Sequence, residues 1–133
     1  MKNTELKKLR NKALYLAYKD GLEKGCFATM REAAKYVCKH PAPRFFIEAE
    51  KASVLVGKIL SNVSLINLNT CSRRLVWQLY HNYQDYIAKH PGCKLSRERI
   101  MEILVDEPAP EFYLEPQRTR KILYTEIKKA RMR

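Results

Sequence analysis

The sequence predicts an all-α protein made of two tandem three-helix repeats that share one core. Three observations lead to this fold class. Apolar residues recur at helical spacing through most of the chain. An eight-residue segment occurs twice at a fixed distance. Glycine occurs only 4 times in 133 residues, and no turn pair is flanked by the alternating apolar and polar residues of a β-hairpin.

The duplication is the strongest of these signals. The segment 41–48, Pro-Ala-Pro-Arg-Phe-Phe-Ile-Glu, recurs at 108–115 as Pro-Ala-Pro-Glu-Phe-Tyr-Leu-Glu, which defines an offset of 67. The same offset pairs Gly25-Cys26 with Gly92-Cys93. A match that keeps two prolines and an aromatic pair in register predicts an internal repeat, although two copies are too few for a solenoid.

The first repeat begins with a long helix over about 4–24, which Gly25 ends through a left-handed conformation. Thr29-Met30-Arg31-Glu32 is a capping box, because the threonine oxygen and the glutamate side chain can each satisfy a free amide of a helix start. The short helix that follows runs through Cys38 and ends before Pro41. Proline restricts the residue before it to extended conformations, so 41–47 is expected to be a rigid connector.

A third helix is predicted to open at Glu48. Its apolar positions form one stripe, with Gly57 as a mild cost to helix stability; they are Ala52, Leu55, Val56, Ile59 and Leu60. The second repeat follows the same plan, with a long helix over about 72–90 stopped by Pro91-Gly92, a short helix capped by Ser96, and a last helix with Pro116 in its first turn. The predicted organisation is a first repeat at 1–62, an ordered linker at 63–70, and a second repeat at 71–133 that ends in a basic tail.

Composition and motifs exclude several classes of protein. The longest apolar run, 13–18, is far short of a membrane span of roughly 20 residues, and no apolar signal core follows Met1, so a cytoplasmic protein is expected. The four cysteines lack metal-ligand spacing and are expected to be reduced. No phosphate-binding glycine loop, nucleophile elbow or zinc-protease motif is present. We therefore expect no enzyme activity, cofactor, metal or small-molecule substrate.

The charge distribution is the main functional signal. Of the net charge of +12, segments 1–24 and 117–133 contribute +10, because they hold 7 basic with 3 acidic and 7 basic with 1 acidic residues respectively. Locally concentrated positive charge is typical of nucleic-acid binding, whereas a single charged run can also be a solubilising tail.

Each predicted repeat has the outline of a helix-turn-helix unit, in which a third helix enters the major groove. The first repeat is poorly suited to reading DNA bases, because its connector is long and Glu48 and Glu50 place negative charge at the start of its third helix. The last helix is the better candidate, since its first turns carry arginines that could contact guanine edges or phosphates. The predicted nucleic-acid contacts are Lys8, Lys12, Arg44, Arg118, Arg120, Lys121, Lys128, Lys129, Arg131 and Arg133.

The duplicated Pro-Ala-Pro segment allows two interpretations. Its aromatics, Phe45, Phe46, Phe112 and Tyr113, either form a docking surface or fill the core beneath a stiff turn. The change from Arg44 to Glu111 predicts that this repeat position is exposed, because a core position seldom reverses charge. The tyrosines of the two long helices, together with Trp77, are expected to form a helix–helix interface, between the repeats or between two chains.

Met30-Arg31-Glu32-Ala33-Ala34 followed by Pro41-Ala42-Pro43-Arg44-Phe45-Phe46-Ile47 resembles small basic proteins with a helix-turn-helix-like outline from gut bacteria and their phages or mobile elements. The resemblance spans most of the first repeat and part of the second. It implies a prokaryotic or phage setting and supplies no site residues.

The sequence therefore favours one function and leaves a second as the alternative, each with a different partner. The first is a non-enzymatic DNA-binding protein, a small regulator or architectural factor that holds DNA, or RNA, through its terminal helices. The second is an assembly module that uses the duplicated Pro-Ala-Pro segments to bind another protein or a second copy of itself.

Overall fold

The computed structural model describes residues 2–132, which form six α-helices: α1 (Asn3–Glu23), α2 (Met30–Cys38), α3 (Ala49–Leu60), α4 (Thr70–Lys89), α5 (Arg97–Leu104) and α6 (Pro116–Arg131). The all-α prediction is confirmed. No helix among these residues is long and apolar enough to cross a membrane.

The predicted helix boundaries are correct to within two residues, because local capping chemistry sets them. The Thr29 side chain accepts a hydrogen bond from the Glu32 amide at 3.2 Å, and the Glu32 carboxylate reaches back to the Ala28 amide at 3.4 Å. Ser96 caps α5 from one side only, because its hydroxyl accepts a hydrogen bond from the Arg99 amide at 3.2 Å. Gly25 and Gly92 follow the two long helices with φ of 67° and 80°, in the left-handed region that glycine occupies at little cost.

The third helix of each half packs against the other half. Helix α6 lies against α1 and α2, and α3 lies against α4 and α5; within residues 2–132, α3 makes no backbone contact with α1 or α2, nor α6 with α4 or α5. We call α1, α2 and α6 the outer unit and α3, α4 and α5 the inner unit. A helix-turn-helix unit made of consecutive helices is therefore wrong for this chain, since each connector carries its third helix away from the two helices before it.

The connectors explain this exchange, because they pair with each other. Ala42 and Ala109, which are equivalent positions of the two copies, form an antiparallel bridge with two hydrogen bonds of 2.9 Å. Phe45 donates its amide to the Val105 carbonyl at 2.9 Å, and Phe112 donates to the Cys38 carbonyl at 3.3 Å. Exchanging the two copies converts the Phe45–Val105 hydrogen bond into the Phe112–Cys38 hydrogen bond and the Ala42–Ala109 bridge into itself. The junction is therefore approximately two-fold symmetric.

The aromatic residues of the duplicated segments fill this junction. Phe45 stacks on Tyr113 at 6.1 Å between ring centroids, and Phe46 stacks on Phe112 at 6.0 Å. Phe45, Phe112 and Tyr113 are buried and Phe46 is half-buried. The interpretation that they fill the core is confirmed, and an aromatic docking surface at this position is wrong.

Two ion pairs at the junction occupy equivalent positions of the two copies, with their charges reversed. Arg44 pairs with Asp106 at 3.1 Å, and Glu111 pairs with Lys39 at 3.7 Å and also with Arg74. Lys39 and Asp106 occupy equivalent positions of the two copies, as do Arg44 and Glu111, so both members of the pair change sign together. The predicted exposure of position 44/111 is wrong: these side chains are only 16% and 18% exposed, and the reversal is tolerated because each partner reverses too.

One buried cluster draws residues from all six helices and both connectors, with Leu14, Val37, Val56, Leu79 and Leu123 among its members. Not every apolar residue of the helical pattern is inside: Leu9, Leu16 and Leu22 of α1 and Leu60 of α3 are exposed. Helices α1 and α4 do not pack on each other, so their tyrosines form no interface between the repeats, and an interface between two chains stays a prediction. Their tyrosines instead pack within their own units; Tyr18, for example, stacks on Phe27.

Gly57 lies inside α3, where a glycine lowers helix stability, and the packing of α3 on α5 explains its presence. A Cβ atom at this position would lie 2.6 Å from the Arg97 guanidinium of α5. Arg97 donates its Nε–H to the Ser53 carbonyl at 2.9 Å across the same contact. The glycine therefore admits an arginine between α3 and α5.

Candidate nucleic-acid interface

The exchange of third helices collects nearly all the net charge in the outer unit. Segment 1–38 holds nine basic and four acidic residues, and segment 116–133 holds seven and one, which gives +11 of the total +12. The segment 39–115, which contains the inner unit and both connectors, holds ten basic and nine acidic residues. The two basic ends of the chain thus become neighbours, because α1 packs against α6.

A groove of about 450 Å³ lies between α1 and α6 and brings three predicted contacts together. Lys8 and Lys12 line it from α1, and Lys129 lines it from α6, with Tyr15 in the wall. Glu126 is the acidic lining residue, and its carboxylate pairs with the Lys129 ammonium at 3.3 Å. Lys8 and Lys12 are exposed and form no ion pair among residues 2–132.

The exposed face of α6 carries further predicted contacts. Lys121 and Lys128 are exposed on the side away from buried Thr119 and Leu123. Lys128, Lys129 and Arg131 also occupy the last turn of the helix, where positive charge stabilises the negative end of the helix dipole. Arg133 lies outside the described residues.

The two arginines that were expected to read bases lie in different clefts. Arg120 is half-buried and lines a groove of about 300 Å³ with Arg31 and Lys35 of α2. Arg118 lines a second cleft, between the two units, with Arg10 and Lys51. The first turns of α6 therefore do not present these arginines as one reading surface.

Arg44 is separate from the terminal helices. Its guanidinium pairs with Asp106, and its Nε–H donates to the Phe45 carbonyl at 3.1 Å. The ion pair with Asp106 links the two connectors, whereas the bond to Phe45 lies within the first connector. Among the predicted contacts, Arg44 thus has a structural role that the sequence did not indicate.

Four cations in these clefts were missed by sequence reasoning: Arg10, Arg31, Lys35 and Lys51. Arg31 and Lys35 are one helical turn apart, a spacing that places them on the same face of α2 and was readable in the sequence. Arg10 and Lys51 come together with Arg118 only through the exchange of third helices, for which no local pattern gives a signal.

Burial and a neighbouring like charge perturb one of these cations. Arg10 is half-buried, and its guanidinium donates twice to the Asn11 side-chain oxygen, at 3.2 and 3.1 Å. Burial, followed by the nearby positive charge of Arg118, lowers the pKa of Arg10 from its ordinary value. The cleft between the units therefore holds positive charge at a cost in free energy.

Among residues 2–132 no group of three or more His, Cys, Asp or Glu side chains is placed to hold a metal ion, and all four cysteines are free thiols. Thr125 is the uncharged position between Lys121 and Lys128, and its hydroxyl donates to the Lys121 carbonyl.

No protein-family model, curated protein or solved structure matches this sequence.

Proposed function

We propose that this protein is a non-enzymatic DNA-binding protein that holds the phosphate backbone through the outer unit. The observation that carries the proposal is that both basic segments of the sequence meet in one three-helix unit, whose helices hold 13 basic and 5 acidic residues. Positive charge in one place attracts a polyanion far more strongly than the same charge divided between two distant ends.

The groove between α1 and α6 and the exposed face of α6 supply the contacts. Lys8, Lys12, Lys121 and Lys128 are exposed and free to meet phosphates. Because Arg118 and Arg120 lie in separate clefts, the proposal is backbone binding with little base reading, as in architectural proteins.

The test is binding of a labelled random duplex of about 30 base pairs across a salt series. The informative variant replaces Lys8, Lys12 and Lys128 with glutamine. Its matched control replaces Lys58, Lys89 and Lys94, which are exposed cations outside the outer unit, and so removes the same net charge.

We expect the wild type and the control to bind with a similar steep salt dependence. Each phosphate contact contributes about 0.9 to the slope of log affinity against log salt, so the outer-unit variant should lose about 2–3 from that slope. An equal loss in the control would mean that net charge alone matters. Absence of binding at about 50 mM salt would reject the DNA proposal.

Protein assembly is the second candidate function, and a different surface supports it. Val63 and Ile66 of the segment between α3 and α4 are 51% and 76% exposed, and Trp77 of α4 beside them is 45% exposed. They line one shallow groove of about 420 Å³. Clustered exposed apolar side chains are typical of protein contacts.

This second function would use that apolar groove, since the aromatics of the Pro-Ala-Pro segments are in the core. Sedimentation velocity over a concentration series tests it with a second copy as the partner. Self-association that Ile66→Asp removes, and that Ile103→Asp at an exposed position of α5 leaves intact, would support it. A monomer at every concentration would exclude a second copy as the occupant.

A further inference from the structure

A cleft of about 330 Å³ lies between the two units, at the junction where the connectors meet. Residues from the first turns of α3, α4 and α6 line it, and Arg10 reaches it from α1. The size is at the lower end of the range typical of small-molecule sites. Among the described residues, Arg118 is the one predicted nucleic-acid contact that lines this cleft; Lys8, Lys12, Lys121 and Lys128, which carry the proposed DNA binding, do not.

The charge that lines the cleft is positive and is not neutralised by ion pairs. Arg10, Lys51 and Arg118 line it together with one carboxylate, that of Glu115. None of the three cations forms an ion pair among residues 2–132. Arg10 is half-buried, whereas Lys51 and Arg118 are exposed at the mouth of the cleft, and an anion bound between Arg10 and Arg118 would offset the repulsion between their charges.

The repeat shows how the site is assembled. Lys51 and Arg118 occupy equivalent positions of the two copies, and each is the third residue of its helix. The two halves therefore contribute equivalent cations to the same cleft, and Arg10 adds a third from the outer unit. Glutamates stand at both helix starts, Glu48 before α3 and Glu115 before α6, so the side-chain cations and not the helix dipoles supply the positive charge of the cleft.

The rest of the lining is largely apolar. Phe46 and Ile47 of the first connector, Leu55 of α3 and Leu75 of α4 form walls next to the cations. An inorganic anion would contact only the cations, whereas a ligand with a charged head and an apolar or aromatic body would contact the cations and the apolar walls together.

We propose that this cleft is a binding site for a small organic phosphate, with the phosphoryl group held by Arg10, Arg118 and Lys51 and the organic body against Phe46 and Leu55. Arginine suits this chemistry, because its planar guanidinium can donate two parallel hydrogen bonds to phosphate oxygens. The inference is independent of DNA binding by the lysines of the outer unit.

The probe is adenosine 5′-monophosphate, with adenosine and inorganic phosphate as comparisons, in thermal unfolding and calorimetric titration of the full chain. We expect the monophosphate to raise the Tm, adenosine to leave it unchanged, and inorganic phosphate to act more weakly. Arg10→Gln and Arg118→Gln should each weaken binding by about tenfold or more. Arg99→Gln, an exposed arginine of α5, should not.

A second readout separates binding from folding. Without ligand, Arg118→Gln should be at least as stable as the wild type, because it relieves the repulsion on Arg10 while it removes the phosphate response. The triple variant of Lys8, Lys12 and Lys128 should keep that response, so failure of the DNA proposal leaves this one intact.

No Tm shift at about 10 mM monophosphate would overturn the proposal. An equal loss in Arg99→Gln would also overturn it, because general charge would then explain the effect. If duplex DNA but not the monophosphate gave a response that depends on Arg10, the phosphate in the cleft would belong to nucleic acid and the small-ligand site would be wrong.

Discussion

Replacing Glu111 with glutamine should destabilise the protein far more than replacing Asp106 with asparagine, although the two carboxylates lie in equivalent ion pairs. Glu111 is 18% exposed and pairs with two cations, Lys39 and Arg74, whereas Asp106 is 71% exposed and, within residues 2–132, forms an ion pair with Arg44 alone. The two substitutions are isosteric and change the net charge equally. Burial and the number of partners are therefore the variables that differ.

The magnitudes follow from that difference. Hydrogen bonds to charged groups at low exposure contribute about 1.5–3 kcal/mol, so Glu111→Gln should lower the free energy of unfolding by about 2 kcal/mol. An exposed ion pair contributes under about 1 kcal/mol, and Arg44 keeps its bond to the Phe45 carbonyl when Asp106 is changed. For a chain of this length the first loss corresponds to a Tm lower by about 6–10 °C.

Urea denaturation followed by circular dichroism at neutral pH measures both values. The m-value should be unchanged in both variants, because the native contacts of the junction remain. Equal losses for the two variants would refute the argument from burial, and a stabilised Glu111→Gln variant would show that desolvation of the carboxylate outweighs its two ion pairs.

Three further variants test the junction and the helix contacts. Phe45→Ala should cost about 3–5 kcal/mol, and Phe46→Ala, at a half-buried position, clearly less in the same urea assay; similar losses would contradict the burial argument. Gly57→Ala should gain less than the roughly 1 kcal/mol that alanine adds to a helix interior, because its Cβ displaces the end of the Arg97 side chain, and it should gain the full amount in an Arg97→Ala background; equal gains in the two backgrounds would contradict this. Burial, followed by the charge of Glu111, raises the pKa of Tyr113 to about 12, while the unfolded chain loses this proton near pH 10. The wild type should therefore lose roughly 2–3 kcal/mol relative to Tyr113→Phe as the pH rises from about 10 to 12, and parallel pH profiles of the two proteins would refute this.

Much of the fold was predictable from the sequence, because helix starts and stops depend on neighbouring residues. Thr29, Ser96, Gly25 and Gly92 act within a few residues of their own positions, and the structure places each as expected. The choice of packing partner is different, because the apolar stripe of α3 shows which face is buried and carries no information about the helix that buries it.

One signal of the exchanged helices was nevertheless present in the sequence. Lys39 becomes Asp106 and Arg44 becomes Glu111 at the same offset of 67, and a coupled reversal of this kind indicates that the two positions meet across the halves. The candidate cleft had no such signal, because Arg10 and Arg118 are brought together by the route of the connectors.

The exchange of third helices also determines when each part of the chain can fold during synthesis. The inner unit, 49–104, is continuous, so its contacts are local and can form as soon as α5 has emerged from the ribosome. Helices α1 and α2 are made first, but α6, which covers them, is made last. The face of α1 and α2 that packs against α6 therefore stays uncovered while 39–115 is synthesised, and the outer unit is expected to form after the inner unit.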